Sequence, residues 1–206
     1  NIFRGLCSQF PKITILNCYQ TQINDSQLSS NFLDSNVVLD ETLTQKALQE
    51  HALRENAYFL YFHTKGITSV SRLKQSKDYR RFLNYHCWRK FMEWGVIEKW
   101  KECISLLDNY SVVSVNLCLW PTPHYSGGMW WTKSDYIKKL PDVSKDDWWM
   151  ERISSTDLKT WNSFRLKPEM WIGMAYDNDF YSFKEAPNMP PVSSLAETYF
   201  PRSNYT

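Results

Sequence analysis

A short run that could bind an anion follows one apolar stretch of the sequence. Residues 58–62 form a β-type stretch that ends in His63, Thr64, Lys65 and Gly66, which supply two potential cations, a hydroxyl and a glycine. Ligands bind at the carboxyl ends of strands in open α/β sheets, and glycine lets the backbone approach a phosphate closely. The run therefore predicts an anion site, with an ordinary polar turn as the simpler interpretation.

A second region combines glycines, aromatic rings and a histidine. It contains His124, Gly127, Gly128, Trp130 and Trp131. Paired glycines beside paired tryptophans indicate a backbone that approaches a ligand closely between flat walls. A plain loop with core tryptophans is equally compatible, because large aromatic residues mostly pack inside. The histidine is also a candidate proton acceptor.

Glu169 follows Pro168 at the start of an apolar run. Proline suits a first helical turn, and a carboxylate there suits the positive end of the helix. Capping alone explains this pattern. The functional alternative is a general base aimed at a substrate hydroxyl.

Other carboxylates are weaker candidates. Asp177 and Asp179 could hold Mn²⁺ or Mg²⁺, although Asp and Asn are also common in turns. Asp146, Asp147 and Glu151, near paired tryptophans, could contact a sugar, but a solvated charged loop is the simpler interpretation.

The composition excludes several classes of protein. With 24 basic and 22 acidic residues among 206, the chain has no global charge favouring nucleic acid or an anionic membrane. No run approaches the roughly 18 apolar residues that span a bilayer. Five scattered cysteines without a metal-ligand spacing favour a reducing compartment. We expect a soluble cytoplasmic protein.

Hydrophobic periodicity divides the chain into strands and helices. It predicts strands at residues 13–19, 58–62 and 112–119, and helices at 42–55, 77–107 and 136–140, with Gly95 as a possible break. Strands separated by helices, without Asn-Gly hairpin turns, predict an α/β domain with a largely parallel sheet. We expect one domain at residues 1–186 and a Pro-rich extension or linker at 187–206.

Four motifs occur in one order along the chain. They are YFHTKG at residues 61–66, WRKFMEW at 88–94, HYSGGMWW at 124–131 with YIKKLP at 136–141, and PEMWIG at 168–173. Over most of residues 11–175 the chain thereby resembles a group of glycosyltransferase domains from bacterial polysaccharide clusters and large DNA viruses, including domains that build capsid glycans. The likeness extends to Glu41, just before the first helix. The group's usual Gly-Asn-Phe-Trp is Gly-Gly-Met-Trp at 127–130 here, so its asparagine is replaced by Gly128.

The resemblance implies a GT-A-like fold, in which a Rossmann-type nucleotide-sugar half is fused to an acceptor half around one mixed, mostly parallel sheet. It implies transfer of a hexose or deoxyhexose, such as L-rhamnose, from a nucleoside diphosphate, such as UDP, to an oligosaccharide acceptor. It also suggests fusion to other glycan-modifying domains, as expected for a chain that begins at Asn1 without a methionine.

Residue by residue, the resemblance implies a site without a required metal. Glu169 would be the catalytic base if the enzyme inverts configuration, with His124 as second candidate. Mn²⁺ or Mg²⁺ would act only if Asp177 and Asp179 bind it. The residues expected to bind the donor sugar nucleotide are Asn17, Tyr19, His63, Thr64, Lys65, Gly66, Arg89, Gly127, Gly128, Trp130 and Trp131.

Two other classes of function remain open. Ten tryptophans, twelve tyrosines and eleven phenylalanines are compatible with a non-catalytic carbohydrate-binding module, because aromatic faces pack against sugars. Glu151 and Glu169 could instead serve as the two carboxylates of a glycoside hydrolase.

Overall fold

The computed structural model describes residues 41–63, 79–145, 147–149, 153, 167–176 and 179–183, and these form a mixed α/β arrangement. The helices are α1 (Thr42–Arg54), α2 (Tyr79–Glu93), a π-helix (Trp94–Glu98), α3 (Trp100–Leu106), α4 (Ser134–Ile137) and α5 (Lys167–Trp171). The strands are β1 (Tyr58–Tyr61), β2 (Val112–Ser114), β3 (Leu117–Cys118), β4 (His124–Tyr125), β5 (Trp130–Lys133) and β6 (Phe180–Ser182).

Four strands form one mixed sheet in the order β1-β5-β2-β6. Strand β5 is antiparallel to both β1 and β2, whereas β2 is parallel to β6. Strands β1, β2 and β6 therefore point the same way, but two of the three described pairings are antiparallel. The expected parallel majority of pairings is not found in this part of the chain, because the tryptophan-rich β5 inserts between β1 and β2.

Side chains alternate between the two faces of this sheet, and each face packs into its own hydrophobic cluster. Phe59 and Tyr61 of β1 join Trp130 in one cluster, while Leu60 and Trp131 belong to the other. Residues of α1, α4 and α5 complete the first cluster, and residues of α2, the π-helix and α3 complete the second. Helices therefore cover both faces of the sheet.

Helix α1 confirms the helix predicted at residues 42–55. Its buried face consists of Gln45, Leu48 and Ala52, which lie along one side of the helix. Leu43 and Leu53, expected on the apolar face, are instead 56% and 72% exposed. The helix is thus oriented by a narrow stripe that includes one polar side chain.

The helical region predicted at residues 77–107 does not end at Gly95. It passes into the π-helix, where Gly95 packs so closely on Val115 that a Cβ atom would lie 2.3 Å from Val115 Cγ1. The Cys103 thiol donates a hydrogen bond to the Gly95 carbonyl, and the Trp131 indole N–H donates one to the Val96 carbonyl. Gly95 therefore permits close helix–sheet contact rather than a break.

The single strand predicted at residues 112–119 is wrong. Strand β2 stops at Ser114, Asn116 has φ 66°, and β3 then pairs antiparallel with β4 outside the main sheet. Asparagine tolerates this left-handed conformation better than most residues. The loop between β3 and β4 contains Pro121 and Pro123, and it lacks the Asn-Gly signal by which short hairpins are recognised.

The last short helix, α4, begins two residues before the predicted 136–140 segment. The strand predicted at 13–19 and the extension at 187–206 lie outside the described residues. None of the helices in the described ranges is long and apolar enough to cross a membrane.

Candidate active site

Gly127 and Gly128 form a turn between β4 and β5. Their φ angles are 104° and 65°, in the region that glycine adopts without steric penalty. The Gly128 N–H donates to the Tyr125 carbonyl at 2.9 Å, which closes the turn. Because Trp130 at the start of β5 pairs with Tyr61 at the end of β1, the turn lies at the sheet edge where β1 ends.

Helix α2 packs directly against this turn. A Cβ atom at Gly127 would lie 2.2 Å from Met92 Sδ and 3.1 Å from Trp88 Cζ2. A side chain at Gly127 would therefore collide with the helix. The motif at residues 88–94 thus meets the motif at 124–131 in the folded chain.

His63 follows β1 and contacts the same turn. Its Nε2 atom lies 2.8 Å from the Gly127 carbonyl oxygen, so this nitrogen carries the hydrogen in that contact. Its Nδ1 atom faces Glu41 Oε1 at 3.7 Å. The other Glu41 oxygen accepts a hydrogen bond from the Tyr61 hydroxyl at 2.8 Å. Glu41, just before α1, therefore interacts with both the end of β1 and the imidazole.

Glu169 approaches Gly127 from α5. The helix starts at Lys167 and Pro168, which confirms the predicted helical start. Glu169 Oε2 accepts a hydrogen bond from the Gly127 N–H at 3.1 Å. This bond orients the carboxylate, and an ionised carboxylate has further lone pairs on both oxygens. An oriented carboxylate of this kind is suited to accept a proton.

His63 and Glu169 converge on one point beside the turn. A Cβ atom at Gly128 would lie 3.1 Å from His63 Nε2 and 3.6 Å from Glu169 Cγ. Glycine at this position leaves the space between the imidazole and the carboxylate without a side chain. The arrangement brings a proton acceptor and a hydrogen-bond donor together at the sheet edge.

Bonds from the end of β2 hold the rest of the turn. The Ser114 hydroxyl donates to the Met129 carbonyl. The side-chain amide of Asn116 donates to the backbone carbonyl of Ser126 at 3.2 Å. The backbone N–H of Ser126 donates to the backbone carbonyl of Asn116 at 3.1 Å. Such supporting contacts fix the geometry that catalysis needs.

Helix α5 has five residues, too few to be stable alone, so contacts from elsewhere must hold Glu169 in place. Gln45 of α1 donates from Nε2 to the Pro168 carbonyl at 2.7 Å. The Tyr136 hydroxyl donates to the Ile172 carbonyl at 2.7 Å, just after the helix. Helices α1 and α4 thereby hold α5 against the turn.

Trp130 and Trp131, expected along the sugars, lie in the core. They are 1% and 5% exposed. Trp130 stacks on Tyr61 with ring centroids 4.8 Å apart, and Trp131 donates from its indole to Val96 O at 2.6 Å. Because β5 lies between two strands and under helices on both faces, we assign both tryptophans to packing rather than to ligand contact.

His124, the second candidate base, is buried and hydrogen-bonded to the backbone. Its Nδ1 atom lies 2.8 Å from the Thr122 carbonyl oxygen, and the residue is paired with Cys118 across the β3–β4 ladder. Burial acts to lower the pKa of His124, but interactions with Cys118, Thr122 and Glu169 outweigh it and raise the pKa above its ordinary value. Its backbone hydrogen bond and its strand partner thus both lie in the β3–β4 pair and the loop that joins these strands.

Arg89 lies on α2 beside the residues that contact Gly127. Its Nε atom is 3.4 Å from Glu93 Oε1, and Nη2 is 3.4 Å from His86 Nδ1. These contacts keep the guanidinium along its own helix. The candidate residues that lie outside the described part of the chain are Asn17, Tyr19, Thr64, Lys65, Gly66, Asp146, Glu151 and Asp177.

Asp179, the described member of the proposed metal pair, precedes β6. Its backbone carbonyl accepts hydrogen bonds from the N–H groups of Ser111 and Val112. Among the described residues, no group of three or more His, Cys, Asp or Glu side chains is arranged to hold a metal ion.

Two site residues were not identified as candidates by chemistry alone. Glu41 precedes a helix, where a carboxylate is ordinarily interpreted as a cap, yet it makes no side-chain cap bond with α1. Tyr61 ends an apolar strand, where the sequence indicates only a core residue, and its hydroxyl is the part that contacts Glu41. Only the resemblance at residue 41 pointed to this contact.

Residues 11–176 match the family model described as a domain of unknown function, DUF8361, and the chain belongs to that family. No curated protein and no solved structure matches the chain.

Proposed function

We propose that this member of the DUF8361 family is a glycosyltransferase that uses a nucleoside diphosphate sugar. The observation that carries the proposal is the convergence of Glu169 and His63 on the Gly127–Gly128 turn. That turn lies where β1 and β2, which run in the same direction, have their carboxyl ends, and α/β folds bind ligands at such an edge. The mixed sheet is compatible with the GT-A-like fold that the motif resemblance implies.

Glu169 is the proposed general base of an inverting transfer. The acceptor hydroxyl oxygen bonds to the anomeric carbon while the bond from that carbon to the diphosphate breaks. The hydroxyl proton passes to the Glu169 carboxylate, and the nucleoside diphosphate leaves with the electron pair. The hydrogen bond from Gly127 keeps the carboxylate oriented for this transfer.

The residues that follow His63 are proposed to bind the diphosphate. His63 lies just after β1, and Thr64, Lys65 and Gly66 follow it in the sequence. An ammonium group about 4 Å from a phosphate charge contributes on the order of 4 kcal/mol at an effective dielectric near 20. A cationic cradle of this kind could replace a metal ion in stabilising the leaving group.

A non-catalytic carbohydrate-binding domain is the competing function. It is favoured by two exposed aromatic side chains, Trp120 at 47% and Tyr176 at 77% exposure, which could pack on sugar rings. Such a domain would bind glycans without regard to nucleotides. It gives no role to the paired contacts on Gly127.

Calorimetry with uridine, guanosine, thymidine and adenosine diphosphates tests the proposal. We expect one nucleotide to bind the wild type, and Glu169→Gln to bind it with similar affinity. In a transfer assay with the matching sugar nucleotide, the same substitution should lower turnover by roughly 100-fold to 10,000-fold, since it removes the proton acceptor. A folded protein that binds none of the nucleotides but binds glycans would favour the carbohydrate-binding alternative.

A further inference from the structure

Cys118 and His124 face each other across a two-stranded ladder beside the candidate active site. Strands β3 and β4 pair antiparallel, with Cys118 directly opposite His124. Directly opposed residues place their side chains on the same face of a ladder. The thiol and the imidazole therefore project from the same face of the ladder. Cys118 is partly exposed, whereas His124 is 4% exposed, so Cys118 is the more accessible residue of the pair.

The backbone fixes which nitrogen of His124 carries its hydrogen. With Nδ1–H donating to the Thr122 carbonyl at 2.8 Å, Nε2 is left as the nitrogen that can accept a proton. A carbonyl acceptor on the far side of the ring also stabilises the imidazolium form, as the buried carboxylate does in a hydrolase triad. The protonated Cys118 thiol donates a hydrogen bond to the Trp120 carbonyl at 3.2 Å, and this bond is lost when the thiol ionises.

The electrostatics of the two groups favour opposite charges. Burial acts to raise the pKa of the Cys118 thiol, but the influence of the neighbouring His124 ring outweighs it, so the pKa lies below its ordinary value. The pKa of His124 is raised despite burial, chiefly by Cys118. Glu169 is the carboxylate that acts on both groups, opposing the thiolate and favouring the imidazolium.

We infer that Cys118 and His124 form a thiolate–imidazolium pair that makes Cys118 a site of covalent modification by soft electrophiles and by hydrogen peroxide. In the peroxide reaction, the thiolate sulfur attacks one peroxide oxygen. The S–O bond forms as the O–O bond breaks, and the departing hydroxide takes a proton to become water. Sulfur is oxidised by two electrons to a sulfenic acid, and the peroxide is reduced.

The other described cysteines provide controls within the same chain. Burial raises the pKa of Cys103 to about 12 and also raises the pKa of Cys87, which is partly exposed. Neither should form a thiolate near neutral pH. Comparing Cys118 with Cys87 by peptide mass spectrometry therefore separates activation from mere accessibility.

The test is the rate of alkylation by iodoacetamide between about pH 5 and pH 9, measured peptide by peptide in the full chain. A depressed pKa places the rise in the Cys118 rate at lower pH, so near pH 6.5 Cys118 should react at least tenfold faster than Cys87. His124→Gln, which keeps a polar side chain but cannot carry the charge, should remove most of this advantage.

Peroxide treatment followed by dimedone should label Cys118 in the wild type, and the label should be absent at this position in Cys118→Ser. Equal alkylation rates and pH profiles for Cys118 and Cys87 in the wild type would overturn the inference. That comparison does not require His124→Gln to fold, and it is independent of any glycosyltransferase activity.

Discussion

Gly127 is the residue through which the ionisable groups of the candidate site are linked. Its carbonyl contacts His63 and its N–H contacts Glu169, so one peptide segment fixes the position of both side chains. Glu41 extends the chain of contacts to Tyr61 through its second carboxylate oxygen. A shift of the turn would therefore move the proton acceptor and the imidazole together.

The two adjacent glycines should respond differently to substitution by alanine. At Gly127, φ of 104° and the overlap with Met92 Sδ act together, whereas at Gly128 the tightest contact is 3.1 Å to His63 Nε2. Backbone strain at positive φ costs about 1–2 kcal/mol and overpacking costs about 1–3 kcal/mol. Gly127→Ala should therefore lower the free energy of unfolding by roughly 2–5 kcal/mol.

Gly128→Ala, the matched control, should lower the free energy of unfolding by only about 1–2 kcal/mol, mainly because of backbone strain. Chemical denaturation of both variants measures the two costs. Equal losses would show that the packing of α2 against the turn does not constrain residue 127.

The sequence identified site residues when their type suggests few roles, as it does for histidine, glutamate and paired glycines. His63, Gly127, Gly128 and Glu169 were selected from the sequence, and the structure brings all four together. Periodicity cannot distinguish a tryptophan that packs from one that binds, because both are large, flat and partly polar. Trp130 and Trp131 could be assigned to the core only once β5 was seen to lie between β1 and β2.

At the scale of elements, Tyr125 ties three strands together. It lies on β4, and its hydroxyl contacts the Val112 carbonyl of β2 at 3.0 Å and the Tyr181 carbonyl of β6 at 2.7 Å. Tyr125 is fully buried, and burial raises its pKa well above the ordinary value, so the hydroxyl keeps its proton. The small β3–β4 ladder is thereby attached to the parallel pair of the main sheet.

Removing this hydroxyl should measurably weaken the fold. We expect Tyr125→Phe to lower the free energy of unfolding by about 1–3 kcal/mol, because buried hydrogen-bond partners would be left with fewer donors. Tyr110→Phe is the matched control, since Tyr110 packs on Tyr181 through its ring at 5.0 Å between centroids.

The control should change stability by less than about 0.5 kcal/mol, as is usual away from such buried contacts. Urea unfolding curves of the two variants decide the matter. If Tyr110→Phe lowers the free energy of unfolding as much as Tyr125→Phe does, the hydroxyl that bridges β2 and β6 is not the cause of the loss.

Elements with a strong local signal were predicted, and those set by tertiary contacts were not. The bounds of helix α1 and strand β1 match the predicted segments closely, although Leu43 and Leu53 of α1 are exposed. Strands β2 and β3 are separated at Asn116, which has a left-handed backbone conformation. Its side-chain amide donates a hydrogen bond to the carbonyl of Ser126, ten positions away. Sequence patterns do not report such a partner, so the run at 112–119 was predicted as one strand.

At the scale of the whole molecule, strand direction explains why the candidate site lies at one edge. Strands β1, β2 and β6 end on the side where the antiparallel β5 begins. The turn before β5 therefore meets the residues that follow β1 and β2. Helices on both faces bring in Met92 from α2 and Glu169 from α5. The site is thus assembled from both layers and the sheet between them.

This arrangement leads to a prediction about metal dependence. If Lys65 and its neighbours neutralise the leaving diphosphate, transfer or donor hydrolysis should persist in the presence of EDTA and change less than about twofold on adding Mn²⁺. Lys65→Ala should lower turnover by roughly 100-fold or more, because a lost transition-state charge contact costs about 3–4 kcal/mol. The double substitution Asp177→Asn and Asp179→Asn should leave turnover within a few-fold of wild type. Loss of activity with EDTA, restored by Mn²⁺ and abolished in the aspartate variant, would instead assign the diphosphate to a metal held by Asp177 and Asp179.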